Sequence, residues 1–381
     1  MMSHKFINTL DSINTVVPRV LAKVLVSENK NRSGYMMVHT FELILITNSD
    51  KIISLLKDYS KLNEIQELIA GEIAKIILPL NITGIMEVAI SKINEDFFRI
   101  YLRIEPQSLI KGKRTIQLFD CSPQSVKKLK SVMEDKINEI SYMLPSAEGW
   151  IVSRIDYAIN LTTNYIKQCV ELAKRSNDPY RYKDTINLPG SSYRKSKSVV
   201  LNFYDKRDHI AKYIDSSSVN SYLVEEAKDI FRVEVQCINQ NKLNHLRKKY
   251  DLPTKATIYD YLCPIMAEEI VLYYYKAVIG TSDFYSLYEA IKLIHTTNWS
   301  DRKKENVKKW LQLIAQARSI TRARKQFVEG TVIKNTQTLV KGSQNTFTNY
   351  IKACKEIGLS PITIPRDWGI SNIPNPIRSI I

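Results

Sequence analysis

Apolar and polar residues alternate along three stretches of the first 120 positions: 35–46 (YMMVHTFELILI), 84–92 and 97–105 (FFRIYLRIE). A period of two marks a half-buried strand, and the short Ile-Asn-Glu-Asp spacer between the last two predicts a hairpin. In 97–105, Arg99, Tyr101, Arg103 and Glu105 share one face while Phe98, Ile100, Leu102 and Ile104 share the other, so one side is core and the other polar. Between these strands, residues 51–78 place apolar side chains at helical spacing and predict a helix crossing a sheet.

From residue 115 the pattern predicts a strand (115–120), a helix opened by a Ser-Pro signal (122–143), a strand (150–161) and a helix (163–174). Extended segments at 185–188 and 198–206 follow, then a helix at 222–229 capped by 216–221, then a strand at 230–237. Beyond 239 the spacing is helical at 242–250, 258–279, 286–295, 302–327 and 346–357, and a proline-rich tail is expected to wrap the surface in extended form. The fold class is therefore α+β, an antiparallel sheet backed by helices and followed by a helical C-terminal domain. The expected units are an N-terminal β-rich domain or subdomain (1–112), a sheet domain (113–240) and a helical domain with an extended tail (241–381).

Composition narrows the partner. Of 381 residues, 44% are hydrophobic and 25% charged, enough for a real core. Lysine and arginine number 55 against 39 acidic residues, and a net charge of +16 points to a polyanion, either nucleic acid or an anionic membrane surface. No stretch approaches the roughly 18 apolar residues of a membrane span, and the first residues show no apolar signal region. Cys121, Cys169, Cys237, Cys263 and Cys354 are widely spaced without a CxxC pair, which argues for buried thiols in a reducing cytoplasm and against a disulfide scaffold or zinc ribbon.

Three strands in the middle of the chain combine an apolar face with an unusual polar one. Arg154, Asp156 and Asn160 alternate with apolar neighbours, as do Asn202, Tyr204 and Lys206, and Arg232, Glu234 and Gln236. As neighbours in one sheet they would merge into a patch of two carboxylates, cations, amides and a phenol. Two carboxylates on adjacent strands repel, so Asp156 and Glu234 suggest ligands of a divalent ion, Mg or Mn. Salt bridges from Arg154 and Arg232 are the structural alternative.

These motifs, in this order, resemble those of the rolling-circle replication initiation factors of Gram-positive plasmids, phages and conjugative elements. Such Rep relaxases show an R-x-D strand, a Gly-Ser segment leading to a Y-[DN]-K strand, and an R-x-E strand. Here the matches are Arg154 and Asp156, Gly190 to Ser198 with Tyr204, Asp205 and Lys206, and Arg232 with Glu234, covering roughly residues 150–240. The resemblance implies a nickase-like sheet and a tyrosine that attacks a phosphodiester, leaving a 5′-phosphotyrosine and a 3′-hydroxyl primer. It implies a divalent metal, held by carboxylates because no His-hydrophobe-His motif is present, with His209 near enough to assist or merely a surface histidine. The nucleophile is expected at Tyr204, with Lys206 on the same face to stabilise phenolate; Tyr193, on a serine-rich loop, is the runner-up, and Tyr213 and Tyr222 stay open. Origin duplex and single-stranded DNA are the partners, with a host helicase and a second copy of the chain as further ones.

Basic segments support a nucleic-acid partner. Residues 181–212 carry a local balance of +5, with Arg194, Lys195 and Lys197 beside interleaved tyrosines suited to stacking. Residues 301–341 carry +8, and on the expected helix Arg318, Arg322 and Lys325 recur on one face fit to grip phosphate. A helix-turn-helix is conceivable in 307–327 or in 345–364, although neither carries a decisive turn glycine. Two rival readings remain: a non-catalytic DNA-binding regulator, in which arginines merely pair the carboxylates, and a replisome adaptor.

Overall fold

The computed structural model describes residues 36–59, 61–179, 182, 184–212 and 221–381. Tyr35, Tyr180, Arg181, Lys183, Tyr213 and the serines at 216–218 lie outside them. Nine strands form one antiparallel sheet: β1 (Met37–Asn48), β2 (Ile76–Ile77), β3 (Ile85–Lys92), β4 (Phe97–Ile104), β5 (Ile151–Thr162), β6 (Asp184–Leu188), β7 (Ser191–Lys195), β8 (Val199–Asp205) and β9 (Ile230–Cys237). Their order is β2-β3-β4-β1-β5-β9-β8-β7-β6. The three chemistry-bearing strands β5, β9 and β8 are thus adjacent.

Because β1 pairs with both β4 and β5, the described strands on either side of residue 112 share this sheet, and no domain boundary divides them there. Helices cover the apolar face. The helix Pro264–Val278 packs on β5 and β9, and the buried Tyr157 hydroxyl donates to the Tyr261 carbonyl at 3.0 Å. One hydrophobic core runs from β1 through the C-terminal helices to Ile377, so residues 241–381 are continuous with the sheet's interior. The proline-rich tail is tied down: Asn375 is buried, accepts a hydrogen bond from the Tyr275 hydroxyl at 2.6 Å, and donates to Gly280 and Ser282 carbonyls.

Several helices differ from the sequence pattern for local reasons. Segment 51–78 is two helices, Ser49–Asp58 and Leu62–Ala70, the second closed by Gly71 at φ 80°. Segment 258–279 restarts at Pro264, which lacks the amide proton a continuous helix needs. Segment 302–327 breaks at Arg318, which takes φ 51° as the cap of Asp301–Ala317, while Ser319 accepts from the Arg322 amide and caps Ile320–Glu329. Segment 115–120 forms no ladder; it meets the sheet through an isolated bridge, Val38 to Phe119, and through the Ile116 carbonyl, which accepts from Arg232 and Asn160.

Candidate functional site: a buried polar cluster on the sheet

Cross-strand register assembles the cluster. Asp156 lies opposite Thr40 of β1 and Gln236 of β9; Asn202 of β8 lies opposite Glu234, and Tyr204 lies opposite Arg232, which in turn faces Asn160. All are on the face opposite the apolar core. Strand β1 adds a residue that its own alternation would send elsewhere: a bulge between Val38 and Thr40 leaves His39 unpaired and turns its ring to this face.

The hydrogen bonds form two linked groups. Arg154 grips Asp156 with a fork, Nε to Oδ1 at 2.8 Å and Nη2 to Oδ2 at 2.8 Å, and Thr40 donates to the same carboxylate. Arg154 also reaches Glu42 at 3.2 Å. Glu234 meets His39 Nδ1 at 2.8 Å, accepts from Gln236 at 2.6 Å, and accepts from the Tyr204 hydroxyl at 3.2 Å. The other His39 nitrogen lies 3.5 Å from Glu105, whose second oxygen accepts from Ser108 at 2.6 Å. Arg232 donates to Asn160 at 2.7 Å and to the Ile116 carbonyl, yet its Nη1 is buried with no partner among the described residues, as is Asn202 Oδ1.

Burial sets the proton affinities. Tyr204 is 2% exposed, and desolvation, reinforced by the Glu234 charge, pushes its phenol well above the usual value. Burial, then the Arg232 charge, lowers Lys206 to about 7 against the pull of Glu105 and Glu234. Burial and Lys206 lower His209 to about 4, and its ring lies 4.8 Å from the Tyr204 ring. Burial would raise Glu105, but the hydrogen bond and charge of His39 outweigh it and bring the carboxyl to about 2. The same balance holds Glu234 below the ordinary carboxylate range.

The expected metal ligands do not fit a metal as they stand. Both Asp156 oxygens are taken by Arg154 and Thr40, both Glu234 oxygens are taken by His39, Gln236 and Tyr204, and among the described residues no three His, Cys, Asp or Glu side chains are arranged to hold one. Asp156 follows the salt-bridged alternative through Arg154. Glu234 does not pair with Arg232 by hydrogen bond; its partner is His39.

The remaining candidates separate. Tyr193 is in strand β7 rather than a loop, opposite Asn202 and hence two strands, about 10 Å, from Glu234. Tyr222 is outside the cluster and donates to the Arg114 carbonyl. Arg194 is fully buried on the apolar side, donating to Asp178 at 2.8 Å, Ser192 and the Ala173 carbonyl, so it offers nothing to a phosphate. Arg232 is likewise buried and is no surface contact. Lys195 and Lys197 are exposed, as are Arg318, Arg322 and Lys325, but the helix break removes Arg318 from the face of the other two. The cluster also holds Thr40 and Glu105, and His39, which alternation with Phe41 and Leu43 does not assign to it.

The five cysteines are buried free thiols, and no helix of the described residues is long and apolar enough to cross a membrane. No family model matches the chain, and no curated protein matches it.

Proposed function

We propose that the chain cuts one strand of origin DNA with Tyr204 as nucleophile and so starts replication of a plasmid, phage or conjugative element. The observation that supports this is a tyrosine hydroxyl hydrogen-bonded to a carboxylate that is itself oriented by His39 and Gln236, beside an arginine Nη1 with no partner among the described residues. A nucleophile, a carboxylate that aims it and further groups that fix that carboxylate are the positioning parts covalent catalysis needs.

In this reading Glu234 aims the phenol, and Arg232 Nη1 receives a phosphoryl oxygen. The Lys206 amine, lowered to about 7 chiefly by burial, takes the phenolic proton. The Tyr204 oxygen bonds to phosphorus, the bond from phosphorus to the 3′-oxygen breaks, and the Lys206 ammonium returns the proton to that leaving oxygen. Because Tyr204 is buried under the His209 ring, the His209 side chain of the helix Lys206–Ala211 must swing aside before a phosphate enters, while Lys206 at the start of that helix stays in place. No step is routed through a metal, since the carboxylates expected to bind one are otherwise engaged.

The burial of Tyr204 also favours a second reading, a DNA-binding protein in which the phenol is a structural group. Supercoiled origin plasmid decides between them. The nickase reading requires relaxed product and loss of it in Tyr204→Phe with the fold retained; binding without relaxation supports the regulator.

A further inference from the structure

Next to the buried cluster, on the same side of the sheet, runs a row of side chains that the proposed chemistry leaves unused. On β4, Phe97, Arg99, Tyr101 and Arg103 point one way, and the next residue of that parity is Glu105, the partner of His39. The opposite parity, Phe98, Ile100, Leu102 and Ile104, is wholly buried. Register sets Ile46 and Ile44 of β1 beside Arg99 and Tyr101, and Ile151 of β5 beside Ile44.

This face is open and chemically mixed. Ile46 is 49% exposed, Ile151 48% and Phe97 46%, so large apolar groups meet solvent within one sheet surface. The Arg99 guanidinium lies 5.5 Å from the Tyr101 ring centre and donates to its hydroxyl at 2.7 Å. Arg103 and Arg154 share the single carboxylate of Glu42, at 3.5 and 3.2 Å. The Nε atoms of Arg99 and Arg103 are buried and make no hydrogen bond among the described residues, Arg103 Nε facing Glu42 at 3.5 Å, so it is the outer guanidinium nitrogens that are left to a ligand.

We infer that this face is a track for single-stranded nucleic acid, leading across β4 and β1 to the Glu105–His39–Glu234 cluster. From Phe97 to Glu105 an extended strand spans about 27 Å, long enough for several stacked bases. Bases stack on Tyr101 and Phe97, and phosphates meet Arg99 and Arg103, the combination of flat aromatic surfaces and cations that holds single strands without sequence preference. The interleaving of Arg99 and Arg103 with Phe97 and Tyr101 on one strand face selects this ligand over an apolar protein partner, which would leave the guanidinium groups without a counter-charge. The inference rests on the nickase reading only for why a strand should be led to Tyr204.

The test is fluorescence anisotropy of the full chain with a labelled oligothymidine. Tyr101→Ala should weaken binding about tenfold, while Tyr101→Phe, which keeps the stacking ring, should bind as the natural protein does. Arg99→Gln and Arg103→Gln should each weaken binding and flatten its salt dependence by about 0.7 for each phosphate no longer neutralised. Melting curves of each variant distinguish weaker binding from a disrupted fold. Unchanged affinity in folded Tyr101→Ala and Arg103→Gln proteins, or no single-strand binding at all, overturns the inference. Binding that depends on Tyr101 with no tyrosine adduct ever formed keeps the track and removes the nickase; adduct formation indifferent to Tyr101 and Arg103 does the reverse.

Discussion

His39 Nδ1 lies 2.8 Å from the Glu234 carboxylate across 195 residues of chain, and its other nitrogen faces Glu105 at 3.5 Å. The ring is what allows two largely buried carboxylates to stand near one another, one at each of its nitrogens. Removing it in His39→Ala leaves both without their chief partner, which costs about 3 kcal/mol by analogy with broken buried pairs. Urea unfolding at pH 7 measures this; a decrease under about 1 kcal/mol would mean that Gln236, Tyr204 and Ser108 suffice.

Asp156 is held by the Arg154 fork and not poised for a cation. Asp156→Asn weakens that fork inside the sheet and should lower stability by about 3 kcal/mol while leaving any response to Mg or Mn unchanged. Thermal melts with and without each metal provide the check. Metal stabilisation seen in the natural protein and absent from the variant would make Asp156 a ligand after all.

Lys206 gives a pH signature. Its amine falls from the ordinary 10.5 to about 7 in the folded chain, so below pH 7 both states carry the charge and the folded state bears its full burial cost. Between about 7 and 10.5 the folded amine is neutral and the unfolded one still charged, so this group raises stability with pH by about 1.4 kcal/mol per unit. Lys206→Met should therefore stabilise the protein more at pH 6 than at pH 9, by a difference of about 3 kcal/mol in denaturant unfolding. An equal effect at both pH values would place the Lys206 titration elsewhere. The nicking rate, under the proposed proton transfer, rises through pH 7.

The exposed cations are expected to grip DNA, whereas the buried ones hold the fold. Arg322→Gln with Lys325→Gln should weaken duplex binding across all sequences and reduce the salt slope by up to about 0.9 for each phosphate no longer neutralised. Arg194→Gln should instead lower the melting temperature and leave the salt slope unchanged, because its guanidinium is spent on Asp178 and the Ala173 carbonyl. A changed slope in folded Arg194→Gln protein would contradict that placement.

The alternation in β5, β8 and β9 made the polar face legible, since strand parity needs no long-range information. The salt-bridged option for Asp156 was legible too, because Arg154 is two residues away on the same strand. His39 was not. By parity it belongs with Phe41 and Leu43 on the apolar side, and only the bulge between Val38 and Thr40 reverses it. Joining the strands on either side of residue 112 into one sheet depends on β1 pairing on both edges, which local pattern does not encode. The helix break at Arg318 puts an arginine in a left-handed conformation that favours glycine, and its local signal was Ser319, a helix cap four residues before Ala323.

Attack of Tyr204 on DNA is decided by incubating the protein with supercoiled origin plasmid, digesting it and mapping its peptides by mass spectrometry. The expected result is a phosphotyrosyl nucleotide on the peptide carrying Tyr204, absent from Tyr204→Phe protein whose melting curve is otherwise retained. An adduct on Tyr193 or Tyr222, or plasmid bound without any tyrosine adduct, would contradict it.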